Sequence, residues 1–217
     1  MKDISKTEIP YGCSCIKNIR ATHGGLEYVI QTTNGKFTIT GADFRRIGED
    51  ILTEGSFIDG DAVYDLEFSS EKLSCIQKSL NFLEYSSMPE RKLRMKLHGK
   101  FSKEAIDAAL EILKENDYIN DSRLAEDLCE EYFRNCRMSP TMIKAKLYQR
   151  GFSRETVSIL FEEYEFDEET IYDNMTELLE SKFGYEIDKE EKRKALEFLV
   201  RKGYSYEDAK SCINNIY

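Results

Sequence analysis

Few side chains in this 217-residue chain are of the types that carry out catalysis or bind metals. The two histidines, His23 and His98, stand far apart in the sequence. Cys13 and Cys15 could offer two thiolates, but no second cysteine pair or spaced histidine completes a four-ligand site. Paired acids such as Glu162-Glu163 are typical of solvated helix faces, and no phosphate-binding loop is present. We therefore expect a protein that is not an enzyme and has no metal or cofactor.

Basic residues are the most distinctive charged feature, because they are clustered in a chain whose net charge is −10 and whose pI is about 4.9. Six Lys or Arg lie within residues 91–103 and six within residues 134–154, whereas residues 162–191 contain 13 Asp or Glu. A basic face can meet nucleic acid or an acidic protein surface, and ordinary solvated helices are the alternative. The candidate partner-binding residues are Arg91, Lys92, Arg94, Lys96, Lys100, Arg134, Arg137, Lys144, Lys146, Arg150 and Arg154.

Three segments of the chain are versions of one another, namely residues 93–106, 143–157 and 195–209. Each has a leucine, then a short basic stretch, then an aromatic-Ser pair. The aromatic residues Phe101, Phe152 and Tyr204 are spaced by 51 and 52 residues. A period of this size indicates supersecondary units that bury their apolar faces on their neighbours. We predict a mainly α fold, built as a tandem array of three three-helix repeats.

Helix boundaries within each repeat carry capping signals. The serine after each aromatic residue, Ser102, Ser153 or Ser205, is a predicted N-cap. Gly151 and Gly203 are predicted left-handed C-caps that end the preceding helix. The other predicted caps or first helical residues are Ser70, Pro89, Asn120 or Asp121, Pro140, Asp167 and Asp188.

Residues 1–68 are predicted to form a small β-rich domain ahead of the repeats. Asn34-Gly35 predicts a hairpin turn between two strands, because both residues tolerate positive φ. The predicted strands are residues 13–21, 26–33, 36–40 and 62–68, with a short helix over residues 43–52. The predicted repeats then occupy residues 69–119, 120–166 and 167–217.

Six cysteines are scattered singly, which indicates reduced thiols in a cytoplasmic protein rather than a disulfide framework. Cys129 and Cys136 are seven residues apart, a spacing that places both on the core-facing side of one helix. No apolar run is long enough for a membrane span, and residues 1–10 lack the apolar core of a signal peptide.

The repeats also carry a resemblance to a known family. Its most specific piece is the run Asn-Asp-Tyr-Ile-Asn-Asp-Ser-Arg-Leu-Ala at residues 116–125. A second piece is the Leu-x-x-Lys-Gly-Phe-Ser pattern, present as Leu-Tyr-Gln-Arg-Gly-Phe-Ser at residues 147–153. With three tandem three-helix units, these features resemble the RecX family over about residues 71–217. The β-rich extension is similar to that of longer members.

The resemblance implies a regulator of the RecA recombinase that acts in DNA recombination, DNA repair and the SOS response. We expect the chain to be a monomer. Members bind RecA and its helical DNA filament, and lower its ATPase, strand-exchange and coprotease activities. The proposed mechanism places the curved array in the filament groove, with the basic residues above as candidate contacts. Many members are basic and bind DNA directly, whereas a chain of pI about 4.9 is expected to bind DNA weakly and through the filament.

Two other functions are compatible with the same sequence. One is a generic α-helical adaptor that binds an unrelated protein through the same surface. The other is a direct DNA-binding module, which steep salt-dependent binding without recombinase would indicate.

Overall fold

The computed structural model describes residues 12–186 and 188–217. These residues form a small antiparallel sheet followed mainly by helices, so the predicted fold class is confirmed. The chain divides into two compact units, which are described separately below. The first unit contains Met1–Ser86 and Arg94–Tyr118, and the second contains Ser87–Leu93 and Ile119–Tyr217.

The sheet lies in the first unit and has the strand order β3-β2-β1-β4. Its strands are β1 (Ser14–Thr22), β2 (Glu27–Thr32), β3 (Lys36–Thr40) and β4 (Phe57–Ile58). The predicted hairpin between β2 and β3 is confirmed, although neither Asn34 nor Gly35 uses the positive φ that both residues tolerate. Instead, the hydroxyl oxygen of Thr32 accepts hydrogen bonds from the amides of both residues at 3.1 Å. A side chain therefore closes this turn.

The helices are α1 (Gly41–Ile47), α2 (Gly60–Tyr85), α3 (Glu90–Leu97), α4 (Lys103–Glu115), α5 (Asp121–Glu130), α6 (Pro140–Arg150), α7 (Arg154–Glu163), α8 (Glu168–Phe183), α9 (Lys189–Arg201) and α10 (Tyr206–Ile216). A 3₁₀ turn at His23–Gly25 joins β1 to β2, and a π-helical segment at Glu131–Asn135 extends α5. Helix α1 is shorter than the predicted 43–52 because Gly48, with φ of 126°, ends it.

The prediction of a strand over residues 62–68 is wrong, because these residues belong to α2. Asp59 caps the helix by accepting a hydrogen bond from the amide of Ala62 at 2.9 Å. Leu66 is fully buried whereas Tyr64 is 63% exposed, so the alternation that suggested a strand is not a burial pattern. Ser70 is likewise no cap: it lies inside α2, and its hydroxyl accepts from the amide of Thr38. The predicted boundary after residue 68 falls within α2, and the four-domain division remains a prediction.

Helix α2 is tied to the start of α1 by a buried ion pair. The ammonium of Lys72 lies 2.9 Å from a carboxylate oxygen of Asp43, and Arg46 lies 3.6 Å from the same oxygen. The Thr40 hydroxyl also donates to this carboxylate at 2.8 Å. Burial raises the pKa of Asp43, but the hydrogen bonds from Lys72 and Thr40 and the nearby positive charges outweigh burial and lower it. Asp43 is therefore held as a carboxylate in the first unit.

The predicted caps of the repeats are largely confirmed. The hydroxyl of each predicted serine cap accepts a hydrogen bond from a backbone amide in the first turn of the next helix; the serines are Ser102, Ser153 and Ser205. Of the two alternatives before α5, Asn120 is the cap. Asp167 caps α8, and Asp188 forms a capping box with Glu191 at the start of α9. Gly151 and Gly203 have φ of 105° and 86°, as the left-handed C-cap requires.

The π-helical segment changes which side chains reach the core of the second repeat. Cys129, before the segment, is fully buried, whereas Cys136, just after it, is exposed. The prediction that both lie in one helical core is therefore wrong, because a π turn adds a residue and rotates the face that follows. The carbonyl of Phe133 in this segment accepts a hydrogen bond from the buried amide of Asn174 on α8 at 2.9 Å.

Two further polar contacts join the second and third repeats within the second unit. The Tyr204 hydroxyl donates to the carbonyl of Arg137 at 3.0 Å. The Ser139 hydroxyl donates to the carbonyl of Lys202 at 2.9 Å while capping α6 through the amide of Met142. The partners in each bond are more than 60 residues apart in the sequence. No local sequence pattern could therefore have predicted these contacts between the two repeats.

Candidate partner-binding surface

Helix α3 carries the first basic cluster, and its start is held by the sequence run that resembles the family. A carboxylate oxygen of Asp121, at the start of α5, accepts a hydrogen bond from the amide of Glu90 at 2.9 Å. The helix begins at Glu90, one residue after the predicted start at Pro89. Leu93 and Leu97 are fully buried, so the basic side chains of α3 occupy its remaining faces.

Helix α6 carries much of the second basic cluster and is built in a similar way. Ser139 caps it, Pro140 is its first residue as predicted, and Ile143 and Leu147 are fully buried. Lys144 and Arg150 therefore project from the exposed side of the helix, whereas Lys146 is half-buried.

One turn of the second unit brings residues of both clusters together. A Cβ placed on Gly151 would lie 3.9 Å from the Cβ of Lys92, so the turn after α6 packs beside the start of α3. The neighbours of that glycine in sequence include Arg150 and Arg154, and both are exposed. The turn thus brings the backbone of the second basic cluster beside Lys92 of the first.

Three of the eleven candidate residues are neutralised by carboxylates of the same unit. Arg94 pairs with Asp107, Arg134 with Glu130, and Arg137 with Glu177. The Arg94 hydrogen bond lowers the pKa of Asp107 below its usual range. At Glu130, the Tyr164 hydroxyl and then the Arg134 guanidinium lower the carboxyl pKa. These three cations have partners already, which makes them weaker candidates for external contacts.

The other eight candidates have no carboxylate partner within residues 12–186 and 188–217; they are Arg91, Lys92, Lys96, Lys100, Lys144, Lys146, Arg150 and Arg154. Four of them lie over aromatic rings. Lys96 and Lys100 lie 4.8 and 5.3 Å from the ring centre of Phe82. Lys144 lies 5.3 Å from the ring of Phe161, and Arg150 lies 5.7 Å from that of Tyr132. Such rings hold a cation in place without cancelling its charge.

The eleven residues are divided between the two compact units. Arg94, Lys96 and Lys100 belong to the first unit, and the remaining eight belong to the second. The expectation of one continuous concave basic face therefore stays a prediction, and each unit presents its own set of cations.

Residues weighed for other chemistry occupy ordinary positions. His23 is paired with Glu27 at 3.3 Å, and His98 is exposed after the end of α3. Cys15 is buried and Cys13 half-buried. Across the part of the chain that the structure describes, no three His, Cys, Asp or Glu side chains gather as metal ligands would. Among the same residues, none of the helices combines the length and apolar character needed to cross a bilayer.

Sequence reasoning missed the groups that decide which cations are available. The pair Glu130 and Arg134 has the i, i+4 spacing of a helical ion pair, so that signal was present in the sequence. Asp107 and Glu177 lie 13 and 40 residues from their arginines, and only the fold brings them together. Lys78 was also missed, because it is near Lys96 only in the folded chain, where both ammonium groups lie over the ring of Phe82.

Comparisons with known proteins agree with this architecture. A family model for the third three-helix domain of RecX matches residues 168–213, which span α8, α9 and most of α10. The regulatory protein RecX of Finegoldia magna is 30% identical over 201 residues, covering 88% of this chain and 94% of that protein. The regulatory protein RecX of Clostridioides difficile strain 630 is 28% identical over 143 residues, covering 64% of this chain and 66% of that protein.

Two solved structures share the fold. A crystal structure of regulatory protein RecX superposes with a TM-score of 0.71 at 17% identity, covering 93% of this chain and 99% of that one. The crystal structure of RecX from Lactobacillus salivarius gives 0.58 at 19% identity, covering 67% of this chain and 96% of that one. The extent of the match to the Finegoldia protein, with the third-domain model, places this chain in the RecX family of regulatory proteins.

Proposed function

We propose that this protein binds the RecA recombinase in its DNA filament and lowers its ATPase, strand-exchange and coprotease activities. Support comes from membership in a family whose relatives are named regulatory proteins. Support also comes from the run at residues 116–125, in which the Asp121 carboxylate accepts a hydrogen bond from the Glu90 amide at the start of the basic helix α3. In this proposal the protein acts in the cytoplasm as a monomer, without a catalytic step of its own.

The observation that carries the assignment of the surface is the set of eight basic side chains without a carboxylate partner in the described residues. The chain has 41 acidic residues against 31 basic ones, so acidic partners are abundant in its composition. Cations that remain unpaired in such a chain are available to a partner outside it. Acidic surface on the filament, as protein or as DNA held by protein, is the complementary partner.

Recognition of recombinase is favoured over recognition of DNA alone. Affinity for DNA comes mainly from phosphate neutralisation and counterion release, and it requires many cations in one track. A chain with a net charge of −10 repels a polyanion beyond the reach of its local clusters. Protein contacts can add apolar burial and shape to the same charges.

The test is DNA-dependent ATP hydrolysis by the RecA of the same organism on single-stranded DNA, with this protein titrated in. Saturable inhibition at fewer than one molecule per RecA protomer is expected, since a regulator that bridges or ends a filament acts on many protomers. An unchanged rate with folded protein would favour the adaptor function. Salt-dependent binding to DNA that persists without RecA would favour the DNA-binding module.

A further inference from the structure

Three lysines of the first unit surround one aromatic ring. The ammonium groups of Lys78, Lys96 and Lys100 lie 5.1, 4.8 and 5.3 Å from the ring centre of Phe82. Any two of these charges are thus no more than about 10 Å apart, a distance over which like charges in water still repel each other. We call Lys78, Phe82, Lys96 and Lys100 the Phe82 patch.

No carboxylate among the described residues pairs with these lysines, and all three side chains are exposed. The sequence from residue 91 to residue 103 contains six Lys or Arg and not one Asp or Glu. The concentration is local, because Arg94 in the same segment is already paired with Asp107. Positive charge in the Phe82 patch is therefore held together by the ring and left without an internal counterion.

An exposed aromatic residue extends the patch along α2. Lys78, Phe82 and Tyr85 follow at intervals of four and three residues, which places them on one face of the helix. Tyr85 is 90% exposed although it is large and partly apolar. The face thus combines three cations with an accessible ring at its end, and an elongated partner can contact both.

We propose that the Phe82 patch and Tyr85 form a docking surface for an acidic extended segment of a partner protein. Carboxylates spaced along that segment meet Lys78, Lys96 and Lys100, and an apolar side chain packs on Tyr85. The inference deepens the proposed function, because Lys96 and Lys100 are two of its eight candidate contacts; the patch contains none of the basic residues of the second unit.

Charge number favours a peptide over nucleic acid as the occupant. Three cations on a single strand release only about two counterions, which gives weak binding at physiological salt. The lysines cover the face of Phe82, so that ring is not open for a base to stack on it. A peptide gains from the same three charges and adds apolar burial on Tyr85.

The test is fluorescence anisotropy with a labelled peptide rich in Asp and Glu around a central Leu, without any recombinase. Its matched probe has Asn and Gln in place of the acids, and labelled oligothymidylate tests nucleic acid. The variant is K78Q/K96Q/K100Q. The matched control is K182Q/K202Q/K210Q, which removes three exposed lysines that also lie over aromatic rings.

Binding of the acidic peptide is expected to weaken about eightfold in the patch variant, at about twofold for each exposed ion pair lost. The control variant is expected to keep the wild-type affinity, and Y85S to lose affinity for the acidic peptide with its charge unchanged. Equal losses in both triple variants, equal binding of the neutral peptide, or tighter and competing binding of oligothymidylate would each overturn the proposal. Because RecA is absent, failure here leaves the ATPase test of the proposed function standing.

Discussion

The substitution Gly203→Ala tests the contact that joins the second and third repeats. Gly203 has φ of 86°, and a Cβ placed on it would lie 2.5 Å from the hydroxyl oxygen of Ser139. An alanine in this backbone conformation costs about 1–2 kcal/mol by itself. The added methyl group also forces the Ser139 hydroxyl away from the Met142 amide, and loss of such a cap costs about 1 kcal/mol more. We expect a total loss of about 2–3 kcal/mol.

Gly151→Ala is the matched control, because Gly151 ends α6 as Gly203 follows α9. Its φ of 105° carries the same kind of strain, but the nearest atom to an added Cβ is the Cβ of Lys92 at 3.9 Å, an ordinary contact. The control is expected to lose only the conformational cost of about 1–2 kcal/mol. The difference between the two variants isolates the contact with Ser139.

Urea denaturation followed by circular dichroism measures both losses. A second arm places Ser139→Ala in the Gly203→Ala background, which removes the obstructing oxygen. We expect the double variant to be more stable than the sum of the two single losses predicts, because each single variant loses the Ser139 cap and the double variant loses it only once. Equal stability of G203A and G151A, or strict additivity with S139A, would refute the reasoning.

Three further predictions concern thiols and pH. Burial raises the pKa of the Cys129 thiol to about 12, so a thiol reagent is expected to modify exposed Cys136 rapidly and Cys129 only on unfolding. Cys13 is half-buried, so it is replaced as well, and a fast phase that survives C13S/C136S would contradict this. The pKa of Asp43 is lowered in the folded protein, so its contribution to the free energy of unfolding is present above the ordinary Asp range and is lost as pH falls through the folded-state pKa. In urea titrations at a series of pH values, D43N should lessen the loss of stability at acid pH. Burial raises the pKa of Tyr204, so its contribution to the free energy of unfolding is present below about pH 10 and is lost as pH rises above that value. Y204F should lessen this loss of stability at alkaline pH, and an unchanged dependence of stability on pH would count against the prediction.

The helices could be predicted because their signals are local. Ser102, Ser153 and Ser205 precede the helices they cap, and Gly151 and Gly203 follow the helices they end, so a few residues decide each boundary. The strand predicted over residues 62–68 failed because a short alternation is weaker evidence than a cap. Asp59 and the apolar spacing further along α2 fix that helix.

The sequence predicted which basic residues are clustered, but it could not show which of them lack a carboxylate partner in the folded chain. Clustering of Lys and Arg along the chain identified α3 and α6. Arg94 pairs with Asp107 and Arg137 pairs with Glu177, and these acids are near the arginines only in the folded chain. The π-helical segment is a similar case, since no residue type announces the extra residue that leaves Cys136 exposed.

The most direct measurement is inhibition of RecA ATPase by a charge-reversal variant of the basic surface. Replacing Arg91, Lys92, Lys144 and Lys146 by Glu changes cations that have no carboxylate partner in the described residues, and leaves the paired Arg94 in place. The control reverses Lys182, Lys189, Lys202 and Lys210, four exposed lysines of the third repeat. We expect the first variant to require at least about tenfold more protein for half inhibition, since each reversed contact costs a factor of two or more, and the control to inhibit like wild type. Wild-type inhibition by the first variant, with its helical content intact, would contradict the account.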